Sequence, residues 1–409
     1  MWSLLRRNRD IRLVFSAQIV SYLGDWFTFV ALAGLIEDLT GSKFLVSLVL
    51  VSFSLPSFLA SPMAGAVADR FDRRRILVIV SLAQAVAALG LVLVGDGREW
   101  IAFVAQSVVS ALAAFVRPAS EAAIPNLVDN DADLQKANSL FGSSWGVMLA
   151  VGAALGGLFA DVFGRTAAFV TDALTFVVAA GLMAMVRRPM QSHDVSAKTR
   201  ARVRPLSDMK EAVTLARNDK VILSLLASKT TFAIGSGLVS QVPVLASQAF
   251  NAGDGGRGLL IGFRGVGAGL GPLLVMKFVK RDLSRVILVC GLAGTGFALS
   301  YLGAALSPTL PLACVFIGLA HLGGGAQWTL STYGLQMEAP DHLRGRVMAG
   351  DFALITLTLS ITSLLAGIVS DALGVRQAIA IFAIAAAIAS SIYLVLTRSV
   401  RRELASRSE

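Results

Sequence analysis

Asp25 stands in SYLGDWFTFV, where every other side chain is neutral. A carboxylate in such surroundings either exchanges a proton or holds a cation, because burial disfavours its charged form and a neighbouring positive charge favours it. Asp172 in FVTDALTFVV and Asp351 in MAGDFALITL repeat the situation, and Lys229 in LLASKTTFAI supplies the opposite sign. His321 in GLAHLGGGA adds an imidazole, either titratable near neutral pH or a satisfied packing residue. Arg117 and Glu121 are four residues apart, a spacing that places both on one helix face and permits a local ion pair. These groups suit proton exchange and charge pairing. No H-E-x-x-H pattern or Walker loop accompanies them, so zinc and nucleotide-hydrolysing chemistry lack their residue sets.

The elements that must carry these groups are apolar runs. Over 409 residues, 55% are hydrophobic and 15% charged, against roughly 25% charged in a soluble domain, so a soluble core could not hide the apolar surface. A helix crossing a hydrocarbon layer of about 30 Å needs around 20 mostly apolar residues. Twelve runs qualify, near 13–36, 44–66, 76–95, 100–120, 141–161, 166–186, 221–248, 257–278, 286–306, 311–333, 347–370 and 376–397. The basic stretch MWSLLRRNRDIR resembles a signal-peptide flank, but the run behind it is long enough to be the first membrane helix. The expected fold is all-α: an N-terminal six-helix half over 1–186, a cytoplasmic loop over 187–220, and a C-terminal half with a short cytoplasmic tail over 221–409.

Charge placement supports this count. A net charge of +10 could indicate nucleic acid, but the charges form short clusters between apolar runs, so the expected surroundings are a lipid bilayer. With the N-terminus inside, Lys and Arg collect on the cytoplasmic side, as cytoplasmic loops require. The exceptions are Lys43, Arg98, Arg165, Arg257 and Arg376 outside, with Lys229 and Arg264 within spans. A missed span would reverse this pattern from that point onward. Arg264, in GFRGVGAGLGP, is expected toward the outer side, where an arginine can snorkel. Cys290 and Cys314 both lie inside apolar runs, which supports neither a disulfide framework nor a metal site, and no cofactor is expected.

The loop GAVADRFDRRR interrupts two of the runs. Pro62, Arg70, Asp72 and Arg75 have counterparts 210 positions later in Pro272, Lys280, Asp282 and Arg285, each set after the second span of its half (272 − 62 = 210). Internal repeats of this kind are characteristic of secondary transporters. The loop resembles the G-x-x-x-D-R-x-G-R-R pattern of the major facilitator superfamily: Gly65, Asp69, Arg70, Arg73 and Arg74 match, and Asp72 replaces the second glycine. GPLLVMKFVKRDLSR is a weakened second copy. SAQIVSYLGDWF, FVRPASEAAIPNLV and PDHLRGRV are similar to the twelve-span drug and proton antiporter branch, which includes macrolide efflux proteins and the enterobactin exporter.

That resemblance implies a two-half transporter, proton-coupled export of small amphipathic organic compounds, and a place in a bacterial inner membrane with both termini cytoplasmic. It assigns Asp25 to proton coupling or the cavity, with Lys229, Asp172, His321 and Asp351 as further candidates. Arg117 resembles the fourth-helix basic residue linked to proton movement, with Glu121 as the competing local partner. Trp26 and Trp145 are the candidate cavity aromatics. VGAALGG keeps the glycines of the fifth-span antiporter pattern at Gly152, Gly156 and Gly157 but has Ala153 in place of its proline. A contact between Lys229 and Asp25 across the halves is expected from their similar depth. The expected partners are a small organic substrate and protons, with no nucleic acid and no obligate protein. A dedicated siderophore, lipid or metabolite carrier needs the same fold; a membrane enzyme or receptor would need a catalytic set or soluble domain that is absent.

The GAVADRFDRRR loop has two readings. Its arginines fix topology by charge alone. The resemblance further implies a conformational latch, with Asp69 at the N-terminus of span 11, where aligned amides favour an anion, and Arg73 or Arg74 reaching acidic groups near the end of span 4. D69N should depress transport per molecule at unchanged membrane abundance; equal transport per molecule in vesicles would remove the latch role.

Overall fold

The computed structural model describes residues 2–191, 214, 217–279 and 282–406. The described residues form helices and no strands. Twelve helices are long and apolar enough to cross a membrane: Arg9–Thr40, Lys43–Ala64, Arg73–Leu93, Trp100–Leu127, Asp133–Phe163, Arg165–Ala184, Lys220–Phe250, Asp254–Val275, Leu283–Leu306, Leu310–Glu338, Arg346–Leu373 and Val375–Leu396. Several outrun the expected spans. The first helix has 32 residues, about 48 Å at 1.5 Å per residue, so its ends project beyond the hydrocarbon layer. Hydropathy marks the membrane-embedded part, whereas helix ends are set by caps such as Asn8, whose side-chain oxygen accepts from the Ile11 amide at 3.0 Å.

The chain divides into two compact units, one of Met1–Gly41 and Val49–Val203, the other of Ser42–Leu48 and Arg204–Glu409. In the first, span 1 packs on spans 5 and 6, and span 3 packs on spans 4 and 6. In the second, span 7 packs on spans 11 and 12, and span 9 on spans 10 and 12. The pairing is the same six spans on. Ser42–Leu48 belongs to the second unit because Asp371 accepts the Lys43 and Phe44 amides at 2.8 and 3.1 Å and the Ser42 hydroxyl at 3.1 Å.

Local backbone devices recur at the repeat distance. Asp72 caps span 3 by accepting the Arg75 amide at 2.8 Å, and Asp282 caps span 9 by accepting the Arg285 amide at 3.1 Å. Asp72 has φ −59°, so the position where the family pattern has glycine demands no left-handed backbone here, and aspartate is unstrained. Gly164 and Gly374 (374 − 164 = 210) join spans 5 to 6 and 11 to 12 at φ 85° and 92°, values that glycine adopts freely and other residues rarely do. Gly41 and Asn251 (251 − 41 = 210) end spans 1 and 7 at φ 64° and 50°, and asparagine is among the few side chains that tolerate this region.

Span 7 departs from a regular α-helix over Gly237–Gln241, which is a 3₁₀ segment. A Cβ on Gly237 would lie 2.5 Å from the Thr362 carbonyl carbon, so spans 7 and 11 meet backbone to backbone. Removing the caps tests the duplication: D72A and D282A should each cost about 1 kcal/mol in denaturant unfolding of the purified protein. A loss confined to one of them would show that the two turns do not carry equivalent loads.

Candidate functional site

In the first unit the ionisable groups come from spans 1 and 6. Asp172 is buried and accepts from Thr28 Oγ1 at 2.6 Å and, more weakly, from its own-helix neighbour Thr175 Oγ1 at 3.4 Å. Asp25 lies one helical turn before Thr28 and directly follows Gly24, the residue that packs on Asp172. Gly24 makes the approach possible: a Cβ there would lie 3.1 Å from the Asp172 Cα and would overlap the Asp172 and Thr175 side-chain oxygens. The result is two carboxylates on neighbouring spans, of which Asp172 is held by two threonine hydroxyls.

Beside them lies an aromatic surface. Trp26 packs edge-on against Trp145 at 6.4 Å between ring centroids and against Phe29 at 5.6 Å, and Phe29 meets Phe53 at 5.1 Å. The span-5 glycines shape this wall. A Cβ on Gly152 would be 3.1 Å from Trp26 Cβ, and one on Gly156 would be 2.8 Å from the Phe27 Cα. Trp145 is half exposed, so its ring offers free apolar area. Arg117 and Glu121 pair at 2.8 Å, and both are exposed, which realises the local ion pair; such pairs contribute little stability.

In the second unit Lys229 is buried and pairs with Asp351, also buried. Its ammonium donates to Thr332 Oγ1 at 2.7 Å and lies 5.0 Å from the Trp328 ring centroid, a cation–π arrangement. Spans 7, 10 and 11 therefore neutralise Lys229 within one half, and the expected Asp25 contact gives way to Asp351. The physical reason is register: Lys229 and Asp351 face one another on packed spans 7 and 11. Asp351 Oδ1 remains buried without a hydrogen-bond partner among the described residues, leaving one acceptor position available. Gln327 ties spans 7 and 10 together, its amide donating to the Ser228 carbonyl at 2.6 Å and to Thr231 Oγ1 at 3.0 Å.

His321 is placed apart from this pair, with its Nε2 2.9 Å from the Tyr301 hydroxyl and its ring edge-on to Phe297. Arg264 lies ten residues from Asp254 and fifteen from Val279, the ends of its helix (264 − 254 = 10; 279 − 264 = 15), so it is nearer the Asp254 end; its Nε is buried. Cys290 and Cys314 are free and buried.

The latch loop is described in part. The side chains of Gly65, Asp69 and Arg70 lie outside the described residues, as do several at the start of span 11. Arg73 is buried and donates to the carbonyls of Ala122, at 2.7 Å, and Met190, at 3.1 Å. Arg74 donates to the Arg188 carbonyl at 3.2 Å. Both guanidiniums thus reach backbone carbonyls rather than the expected acidic side chains, because the segment after span 6 folds back beneath spans 3 and 4.

Sequence reasoning missed Thr28, Thr175, Thr332 and Tyr301. Hydroxyl residues are common in membrane helices, where they also bond their own backbone. Thr28, one turn after Asp25, carried the clearest local signal; Thr332 and Tyr301 are paired only by tertiary packing.

Comparison with known proteins places the chain. The family model described as transmembrane secretion effector matches residues 1–408. BacE of Bacillus amyloliquefaciens, named as a bacilysin exporter, is 25% identical over 359 residues, 87% of each chain. The multidrug efflux pump Tap of Mycobacterium tuberculosis is 27% identical over 387 residues, 89% of this chain and 88% of Tap. Among solved structures, a bacterial homolog of the human lysosomal transporter Spinster has TM-score 0.69 at 15% identity over 96% of both chains. A peptide transporter of the POT family has TM-score 0.78 at 11% identity, covering 97% of this chain and 95% of that one. These likenesses show the fold. Together with the twelve apolar helices, the bacterial relatives identify a multi-pass bacterial membrane protein.

The Lys229–Asp351 pair gives a sharp stability test. K229A alone should destabilise by about 3–5 kcal/mol, because it strands a buried carboxylate, whereas K229M/D351L should be near neutral. Denaturant unfolding of the purified variants reads both. Equal losses in the single and double variants would show that the pair is not the neutralising unit.

Proposed function

The chain belongs to the transmembrane secretion effector family of the major facilitator superfamily, a family of transporters, and on that premise we propose that it exports small amphipathic organic compounds in exchange for protons. The observation that carries the coupling is the Asp25–Asp172 pair. Two negative charges this close in a water-poor setting repel one another, and either a proton or a substrate cation relieves the repulsion. The two compete for the same carboxylates, and competition for a shared site is the simplest physical basis for exchange. Membrane location follows from the proposal as well: the protein sits in the inner membrane with both termini cytoplasmic, and needs no obligate protein partner.

The half-exposed Trp145 ring, backed by Trp26, Phe53 and the buried Phe29, supports a substrate with a bulky apolar body, since such a ring offers area without fixed hydrogen-bond geometry. Likeness to Tap favours a broad range of such compounds. Likeness to BacE favours the second reading, a dedicated exporter of one endogenous product. Asp69 retains the latch role in either case.

D25N should insert normally and lose proton-coupled flux. Purified protein in oriented vesicles, with substrate flux and proton movement recorded together under an imposed pH gradient, reads the outcome. Normal coupled flux in D25N would remove Asp25 from the proton path and shift the role to Asp172, Glu121 or Asp351.

A further inference from the structure

Arg264 is a cation within span 8 whose neutralisation the fold leaves open. At 1.5 Å per residue it lies about 15 Å from the Asp254 end of its helix and about 22 Å from the Val279 end, more than two turns inside either one. Other cations on these helices are neutralised or hydrogen-bonded: Lys229 has Asp351, Arg117 has Glu121, Arg257, near the end of span 8, has Asp254 at 2.6 Å, and Arg73 and Arg376 donate to backbone carbonyls. No carboxylate among the described residues pairs with Arg264, and its Nε is buried without a hydrogen-bond acceptor. An unpaired charge at this depth is costly, and intramembrane ionisable residues mark ligand pathways by default.

What surrounds it is polar, neutral and built by close packing. Gly267 and Gly271 press span 8 onto span 10: a Cβ at Gly267 would lie 2.9 Å from the Gly318 carbonyl carbon, and one at Gly271 the same distance from the Leu322 carbonyl carbon. This approach sets Arg264, one turn before Gly267 and next to Phe263, whose carbonyl oxygen would lie 3.5 Å from a Cβ at Gly318, against the stretch of span 10 that carries His321 one turn after Gly318. Tyr301 and His321 are buried and hydrogen-bonded to each other at 2.9 Å. When His321 Nε2 carries its proton and donates to the tyrosine oxygen, the Tyr301 hydroxyl proton is free for another acceptor. Phe297 packs on both rings, with centroids 4.8 Å from Tyr301 and 5.4 Å from His321.

We propose that Arg264, with Tyr301 and His321 beside it, is an anion subsite that takes the carboxylate of an amphipathic organic acid. A carboxylate matches the planar guanidinium fork. It also carries one negative charge, so the occupied site is neutral, whereas a phosphate dianion would leave a net charge inside the spans. That the acid is exported cargo rests on the export reading above; the binding site does not.

The test uses a matched probe pair, N-dansyl-phenylalanine and its methyl ester, titrated by fluorescence into purified protein in nanodiscs. Wild type should bind the acid at least about tenfold more tightly than the ester, the range expected for charge-assisted hydrogen bonds. R264Q should bring the acid down to the ester's affinity, and R264K, which keeps the charge but loses the fork, should retain part of the preference. Thermal unfolding checks that each variant is folded; if R264Q is not, a preference in R264K as large as in wild type overturns the site. Equal binding of acid and ester by wild type, undiminished preference in folded R264Q, or no binding of the acid also overturns it. Vesicle assays with wild type separate the two readings. If acetate displaces a bound acid that is never transported, the cargo assignment falls and a small-anion site remains. If the ester is not exported either, while the acid preference in nanodiscs persists, the export reading falls and the subsite stands.

Discussion

A charge carried into hydrocarbon must be neutralised by something within reach, and the placement of a few ionisable side chains under this constraint organises the rest of the protein. Lys229 meets it through Asp351, Thr332 and the Trp328 ring, all drawn from spans that pack around span 7. Asp172 meets it through threonine hydroxyls on spans 1 and 6. Small residues let the spans approach closely: Gly24 against Asp172, Gly237 against Thr362, Gly267 against Gly318. At Asp172 polar chemistry and helix packing are a single problem, since a bulkier residue at Gly24 would push span 1, with Thr28, away from the carboxylate.

The two halves share a scaffold and differ in charge. Helix pairings, aspartate caps and positive-φ turns recur six spans apart. The buried ionisable groups do not. The first unit carries a pair of acids with hydroxyl support, and the second carries a self-neutral lysine–aspartate pair together with an arginine lacking an acidic partner. Duplication accounts for the elements that must be alike, because turns and caps serve any six-helix unit. The charges are free to diverge, because each half needs only local neutrality or a ligand that provides it.

This asymmetry bears on the substrate. The first unit offers carboxylates beside a broad aromatic face, suited to protons or cationic groups on an apolar body; the second offers a guanidinium beside a tyrosine, a histidine and a phenylalanine.

The number of spans and the repeat were legible in the chain itself, because bilayer thickness imposes a minimum run of apolar residues and because Asp72 and Asp282 stand 210 positions apart in similar surroundings (282 − 72 = 210). Asp25, Asp172, Lys229 and Asp351 were equally visible as charges in apolar runs. Which charge faces which was not. A mid-helix residue points anywhere around a full turn, so the choice between Asp25 and Asp351 as partner of Lys229 depended on helix rotation and on the pairing of spans 7 and 11. The same holds for Arg73, whose carbonyl partners come from segments far away in sequence. Residue type and apolar length follow from the chain alone; azimuth and partner arise only when helices pack and every buried charge must be satisfied at once.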